Sequence, residues 1–437
     1  MMKFPDNFVW GVATASYQIE GAVNEDGRGE SIWDRFSHTP GKVLNGDTGD
    51  VACDHYHRYK EDVALIKELG VDSYRFSLAW PRIFPQGTGE YNPKGMDFYK
   101  RLVDELLKQG IKPAVTLYHW DLPQALEDKG GWLNRDTAYY FRDYAVKVFQ
   151  ELGTSIDTWI TLNEPWCSAF LGYGNGHHAP GKTSETDFLV ATHNLLLAHG
   201  LAMEAYRDMG LPQKIGITLN LSPYYPASEK PEDLKALQRA DGFQNRIYLD
   251  PVFKGKYPED LTDALAVIEP LIQPGDMELI SKPIDFLGIN YYTRGIIGAD
   301  KDGNVVHHRG ENPHTAMDWE VYPEGIYDLL QRVHKDYGPI PLQITENGAA
   351  YEDTVVDGKV EDEERRSYLE RHFAQCLRAI EDGVPLEAYF VWSLLDNFEW
   401  AWGYDRRFGI IYVDFATQER IMKRSALWFK DFLRTQR

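Results

Sequence analysis

Short apolar runs recur along this chain at 8–13, 71–78, 111–117, 156–162, 214–220, 284–290, 342–345 and 386–392, with longer stretches of helical periodicity between several of them. This alternation constrains the fold more than any other feature. A run that is apolar on consecutive rather than alternate residues leaves no face for water, so it belongs to a strand covered on both sides. Parallel strands meet that need, because each is joined to the next by a crossover whose helix covers the sheet. The segment 92–109 reads as such a helix, with Pro93 at the first helical position, where no N–H is required, and Gly110 just past the end. The segments 136–152 and 361–382 read the same way, the latter closed by Gly383. No low-complexity linker or long charge run divides the series. The expectation is a single (β/α)8 TIM barrel with elaborated βα loops, one domain over residues 1–437.

Chemistry-bearing residues stand where these strands end. Gln18 follows the first, Arg75 lies in the second, and His119-Trp120 follow the third. Asn163-Glu164 follow the fourth, Asn220 and Asn290 end the fifth and sixth, Glu346 follows the seventh, and Trp392 ends the eighth. In a closed parallel barrel all of these converge on one mouth. A doubly wound sheet is the alternative, but it gathers such residues only near its switch point.

Composition narrows what this mouth receives. With 46 Lys and Arg against 67 Asp and Glu, the net charge is −21. A polyanion is a poor partner for nucleic acid or an anionic membrane, and an unpromising surface for a strongly acidic substrate; a small neutral ligand feels no such barrier. The 12 Trp and 26 Tyr supply core volume and also flat apolar faces with polar edges. Cys53, Cys167 and Cys376 are odd in number and form no CxxC, which argues against a disulfide framework and fits a reducing, cytoplasmic setting. The N-terminal residues carry no apolar signal core, and no run approaches a membrane span.

Metal and nucleotide cofactors are not expected. In Cys53-Asp54-His55-Tyr56-His57 the two histidines are two apart, and on a helix such positions do not face each other. His177-His178 and His307-His308 are adjacent pairs whose side chains are expected to diverge. No Gly-rich segment follows a dinucleotide or phosphate-loop pattern.

Two acids stand out. Thr161-Leu162-Asn163-Glu164-Pro165 is an apolar strand running into a carboxylate, and Ile344-Thr345-Glu346-Asn347-Gly348 repeats the pattern. One Glu after a strand is usually a solvated loop residue or a cap. Two of them, each beside an Asn at a barrel mouth, match the needs of glycosidic bond cleavage: a carboxyl to protonate the leaving oxygen, and a carboxylate to attack or to activate water.

These segments, with the opening Phe8-Val9-Trp10-Gly11-Val12-Ala13-Thr14-Ala15-Ser16-Tyr17-Gln18-Ile19-Glu20-Gly21, resemble the glycoside hydrolase family 1 β-glucosidases from end to end. Each motif is weak alone; the ordered set is specific. The resemblance implies a retaining enzyme with Glu164 as acid/base and Glu346 as nucleophile. It implies that Arg75 and Tyr292 support Glu346, and that Asn163 holds the sugar 2-hydroxyl. It places Gln18, His119, Glu399, Trp392 and Trp400 around the non-reducing sugar, with Trp120 and Phe408 on the wall and Asn290 as a further contact. Trp166 and His177 fall on the aglycone side, where His177 departs from the apolar residue common in the family. The expected substrates are terminal β-D-glucosides, with β-galactosides or β-fucosides, from cello-oligosaccharides and from aryl or alkyl glycosides. Two alternatives stay open: a 6-phospho-β-glucosidase, against which Glu399-Trp400 stands where phospho-specific members resemble a small pair such as Ala-Ser, and a non-catalytic sugar-binding barrel.

Overall fold

The computed structural model describes residues 2–437. Eight parallel strands close into a barrel: β1 (Val9–Ala13), β2 (Ser73–Ser77), β3 (Lys112–Tyr118), β4 (Thr158–Asn163), β5 (Lys214–Asn220), β6 (Phe286–Asn290), β7 (Leu342–Asn347) and β8 (Leu386–Trp392). Each pairs with its sequence neighbours, and β8 returns to β1. The strands are buried almost throughout, as the unbroken apolar runs required. Helices Pro93–Lys108, Asp136–Leu152 and Glu363–Glu381 lie where the helical periodicity put them. At the β1–β8 seam the backbones and side chains crowd: a Cβ on Gly11 would sit 2.3 Å from the Phe390 ring, so only glycine fits there.

The strand ends are where regular pairing breaks. The β4–β5 register slips between Ile160 and Asn163, and the β7–β6 register slips between Ile344 and Glu346. Such irregularities re-aim the residues that follow them. Strand β7 also runs two residues past the apolar run that predicts it, to Asn347. Polarity ended the apolar pattern at Thr345, but Tyr291 N–H still donates to Glu346 C=O at 3.1 Å, and Asn347 still pairs with Val391.

Long loops elaborate the ends of the strands. A three-stranded sheet of Tyr224–Pro226, Gly295–Ala299 and Val305–His308 comes from the loops after β5 and β6, and the hairpin Ile411–Val413 with Arg420–Met422 follows β8. One expectation is corrected here: His177 and His178 do not diverge. Their rings stack at 5.4 Å and 24°, in the loop after Cys167–Gly174, where the backbone bends at both residues. Among the described residues no His, Cys, Asp and Glu group is arranged to hold a metal ion, and no helix is long and apolar enough to cross a membrane.

Candidate active site

Strand β4 delivers Glu164 by an abrupt bend. Pro165 disfavours the right-handed helical region for the residue before it, and Glu164 adopts the left-handed region at φ 50°. That conformation costs a non-glycine residue about 1–2 kcal/mol. Its N–H donates to Thr218 C=O at 2.9 Å, which anchors the bend to β5. The carboxyl is buried and has two donors: Asn290 Nδ2 reaches Oε1 at 2.5 Å, and Cys167 Sγ reaches Oε2 at 3.0 Å.

Strand β7 delivers Glu346 to a different set of partners. Arg75 Nη1 donates to Oε1 at 2.8 Å and the Tyr292 hydroxyl donates to Oε2 at 2.5 Å. Arg75 is itself wholly buried and spends its other donors on the Thr345 carbonyl (3.0 Å), Asn163 Oδ1 (2.7 Å) and Thr116 Oγ1 (3.1 Å). Asn290 lies between the two acids, its Oδ1 accepting from the Thr345 hydroxyl at 2.7 Å, so its amide is fixed with the NH2 toward Glu164.

The two environments separate two otherwise identical groups. Burial pushes Glu164 up to about 7, and the neighbouring charge of Glu346 pushes the same way. Glu346 is also raised by burial, but the Arg75 guanidinium and the Tyr292 hydrogen bond oppose the rise. The geometry thus favours a protonated Glu164 beside an ionised Glu346, sharing their charge as a coupled pair.

Around the pair lies a cavity of about 440 Å³. Glu164, Glu346, His119, Trp120, Asn290, Tyr292, Trp392, Glu399, Trp400, Phe408, Trp166 and His177 line it, whereas Arg75, Asn163 and Gln18 are buried against it without lining it. His119 stacks on Trp392 (5.8 Å, 18°) and on Trp400 (5.9 Å, 16°), and Trp120 packs on Trp400 at 4.5 Å. The Trp120 indole N–H is pinned to the Asn163 carbonyl at 2.9 Å. Phe408 sits between Tyr292 (5.9 Å) and Trp319 (6.1 Å). Trp166 stacks on Phe170 at 4.8 Å, and exposed His177 packs edge-on to Trp402 at 6.4 Å on the rim.

Two buried polar atoms here lack a protein partner: Gln18 Oε1 and His119 Nδ1. Gln18 Nε2 is already given to Asn397 Oδ1 (3.0 Å) and the Phe398 carbonyl (2.9 Å). Asn163 Nδ2 donates to His119 Nε2 at 3.2 Å, which leaves the ring proton on Nδ1. One acceptor and one donor, each buried and unspent, are what a ligand hydroxyl would satisfy. Burial lifts Glu399 to about 8, and the charges of Glu346 and Glu164 add to this. In the protonated form that carboxyl can donate and accept at once; donors from a bound ligand would draw it back toward ionisation.

The loop that carries Glu399 and Trp400 rests on a buried ion network. Asp396 accepts from Lys423 Nζ (2.7 Å), Arg407 Nη1 (2.6 Å) and Gly409 N–H (3.0 Å), while Lys423 also pairs with Asp353 at 2.5 Å. Lys423 is wholly buried. Lys423→Ala removes a cation shared by two buried carboxylates, leaving Asp396 to Arg407 and Asp353 to Arg365. It is expected to cost about 3 kcal/mol, the low end for breaking a buried ion pair, seen as a fall in Tm by circular dichroism. An unchanged Tm would show that the network does not support the loop.

Sequence reasoning gave no site role to Cys167, His178, Gln244, Met317, Trp319 or Trp402, all of which line the cavity. Met317 and Trp319 come from a loop without motif or periodicity. Cys167 carried a signal, being three residues after Glu164, the spacing of one helical turn.

The model of the family described as Glycosyl hydrolase family 1 matches residues 1–437. The chain is 53% identical over 443 residues to "Beta-glucosidase A" of Acetivibrio thermocellus, covering 99% of this chain and 98% of that protein. It is 46% identical over 459 residues to the "Bifunctional beta-D-glucosidase/beta-D-fucosidase" of Bifidobacterium breve, covering 99% and 98%. The family 1 β-glucosidase of Thermotoga maritima in complex with isofagomine lactam superposes with a TM-score of 0.97 at 51% identity, covering 99% of each chain.

Proposed function

The chain belongs to glycosyl hydrolase family 1, and from that premise we propose that it is a retaining β-glucosidase acting through Glu346 and Glu164. The observation that carries this is the asymmetry of the buried pair: Glu346 is held by a guanidinium and a phenol, Glu164 by an amide and a thiol.

Glu346, ionised against Arg75, attacks the anomeric carbon of a terminal β-D-glucosyl residue. Glu164, protonated, gives its proton to the glycosidic oxygen, and the C–O bond to the aglycone breaks. The Glu346 carboxylate is now an ester without charge. The push that held the Glu164 pKa up is removed with it, so the pKa of Glu164 falls and its carboxylate, having given up its proton, stays ionised and free to act as the base of the second step. It takes a proton from water as the water displaces Glu346, and the sugar leaves with its configuration retained. Gln18, His119 and Glu399 hold sugar hydroxyls over the Trp392 and Trp400 faces, and Asn163 and Asn290 serve the 2-hydroxyl side. Trp166 and His177 flank the aglycone. The relatives' names favour glucosides, with fucosides in one case, and we extend the substrates to β-galactosides, cello-oligosaccharides and aryl or alkyl glycosides. Three buried free thiols support a reducing, cytoplasmic setting, and the closed eight-stranded barrel supports reading the chain as one catalytic unit.

The lining of the cavity discriminates against a phosphorylated sugar. It carries Glu164, Glu346 and Glu399 and neither Lys nor Arg. A phosphate would lose its water there and meet no unspent cation. Aryl β-glucoside is therefore expected to be turned over at least about 100-fold faster than its 6-phosphate, the equivalent of roughly 2.7 kcal/mol. Glu399→Ser should weaken the neutral substrate strongly and narrow the gap. The test is kcat/KM for both substrates with both proteins, with the configuration of the first-formed sugar followed by NMR. A preference for the 6-phosphate would overturn the specificity, and inversion would overturn the mechanism.

A further inference from the structure

The turn after β4 places a thiol against the acid/base. Cys167 N–H donates to the Glu164 carbonyl at 2.9 Å, and this closes a turn that brings Sγ to 3.0 Å from Glu164 Oε2. On its other side Sγ accepts from Asn220 Nδ2 at 3.6 Å. Asn220 is the last residue of β5, and its carbonyl is tied to Gln244 Nε2 at 3.0 Å. The thiol thus sits in a chain from a fixed strand end to a reacting carboxyl, and it lines the cavity on that path. Burial and the charge of Glu164 raise the thiol well above its ordinary range, so the S–H proton stays on sulfur and is available to donate.

A thiol is a weak donor. A hydroxyl in its place would stabilise the carboxylate more strongly and favour loss of the proton that the first step spends. A methyl group would leave Oε2 with no partner. The other groups facing this carboxyl are Glu346, Tyr292 and Arg75, with Glu399 and Tyr248 near the thiol itself. None of them supplies a donor to Oε2.

We propose that Cys167 is a positioning residue for the acid/base: steadied by Asn220, its thiol fixes the Oε2 side of Glu164 with a donor weak enough for the carboxyl to keep its proton. The inference rests on Glu164 being the acid/base. The sign of the expected change follows from which form is bonded. A donor to the carboxylate lowers its pKa, a stronger donor lowers it further, and loss of the donor raises it.

The test is the pH dependence of kcat/KM for aryl β-glucosides with good and poor leaving groups, in the wild type, Cys167→Ser, Cys167→Ala and Glu164→Gln. Cys167→Ser should move the alkaline limb down by about half to one pH unit. Cys167→Ala should move it up by a smaller amount and lose more rate on poor leaving groups than on good ones. If both Cys167 variants keep the wild-type limb, or if Cys167→Ala slows every leaving group alike, the inference is wrong. The Glu164→Gln arm separates the two levels. A limb that disappears there but ignores Cys167 refutes only the role of the thiol; a limb that survives there refutes the acid/base reading as well.

Discussion

Glu346→Ala is expected to lower turnover of aryl β-glucosides by more than about 10⁴-fold, beyond the ~10²–10⁴ contributed by positioned proton transfer alone. No other group can take its place. Glu164 is held on the far side of Asn290, and Glu399 is tied to the Gln18 side of the cavity. Arg75 keeps three other acceptors when Glu346 is removed, Thr345, Asn163 and Thr116, so the barrel should remain folded. A circular dichroism spectrum unchanged from wild type checks this. The same residue can be identified without mutation. A 2-deoxy-2-fluoro glucoside with a good leaving group slows both steps, but the leaving group rescues only the first, so the glycosyl ester accumulates. Mass mapping of the labelled protein should place the sugar on the peptide containing Ile344-Thr345-Glu346. A label on any other carboxylate, or wild-type turnover by Glu346→Ala, would end the assignment.

Much of this architecture is legible in the chain because burial on both faces leaves no alternative to apolar strands. The runs at 214–220 and 386–392 match β5 and β8 to the residue. The run at 342–345 stops short because β7 continues through Glu346 and Asn347, polar residues that the hydrophobic pattern must exclude. The same limit governs the site. Glu164 and Glu346 announce themselves as acids that end apolar strands, and family resemblance points to Arg75, Tyr292 and Glu399. Trp319 is invisible in sequence because its loop has no period, and it reaches the wall only by folding back over Tyr292 and Phe408. The slips of register that aim both glutamates into the cavity are also unreadable, since they arise from pairing with β5 and β6 rather than from local residues. His177 shows the converse error: adjacency predicts divergence, and a bent loop stacks it on His178.

Glu164→Gln tests the other half of the mechanism through its dependence on the leaving group. Gln keeps the size of the side chain and can still accept from Asn290 Nδ2, so the cavity should persist. What it lacks is a proton to give. Alkyl glucosides and cellobiose leave as strongly basic alkoxides and need that proton, so their kcat/KM should fall by about 10²–10⁴. A dinitrophenyl glucoside leaves as a stable phenoxide and should lose little in the first step, but the intermediate then waits for a base that is absent. Azide needs no general base. In the smaller Glu164→Ala it should restore turnover of activated substrates and release the β-glucosyl azide, because attack comes from the face opposite Glu346. The wild-type profile should be bell-shaped. Its alkaline limb should lie near the raised value of Glu164, about 7, and fall away as pH rises through it, because the first step consumes the protonated form. Its acid limb should belong to Glu346, which must be ionised to attack. In Glu164→Gln the alkaline limb should vanish while the acid limb remains close to its wild-type position, because Glu164 is already neutral where Glu346 titrates. Equal losses across all leaving groups, with no response to azide, would remove Glu164 from the proton transfer and leave it a structural end to β4.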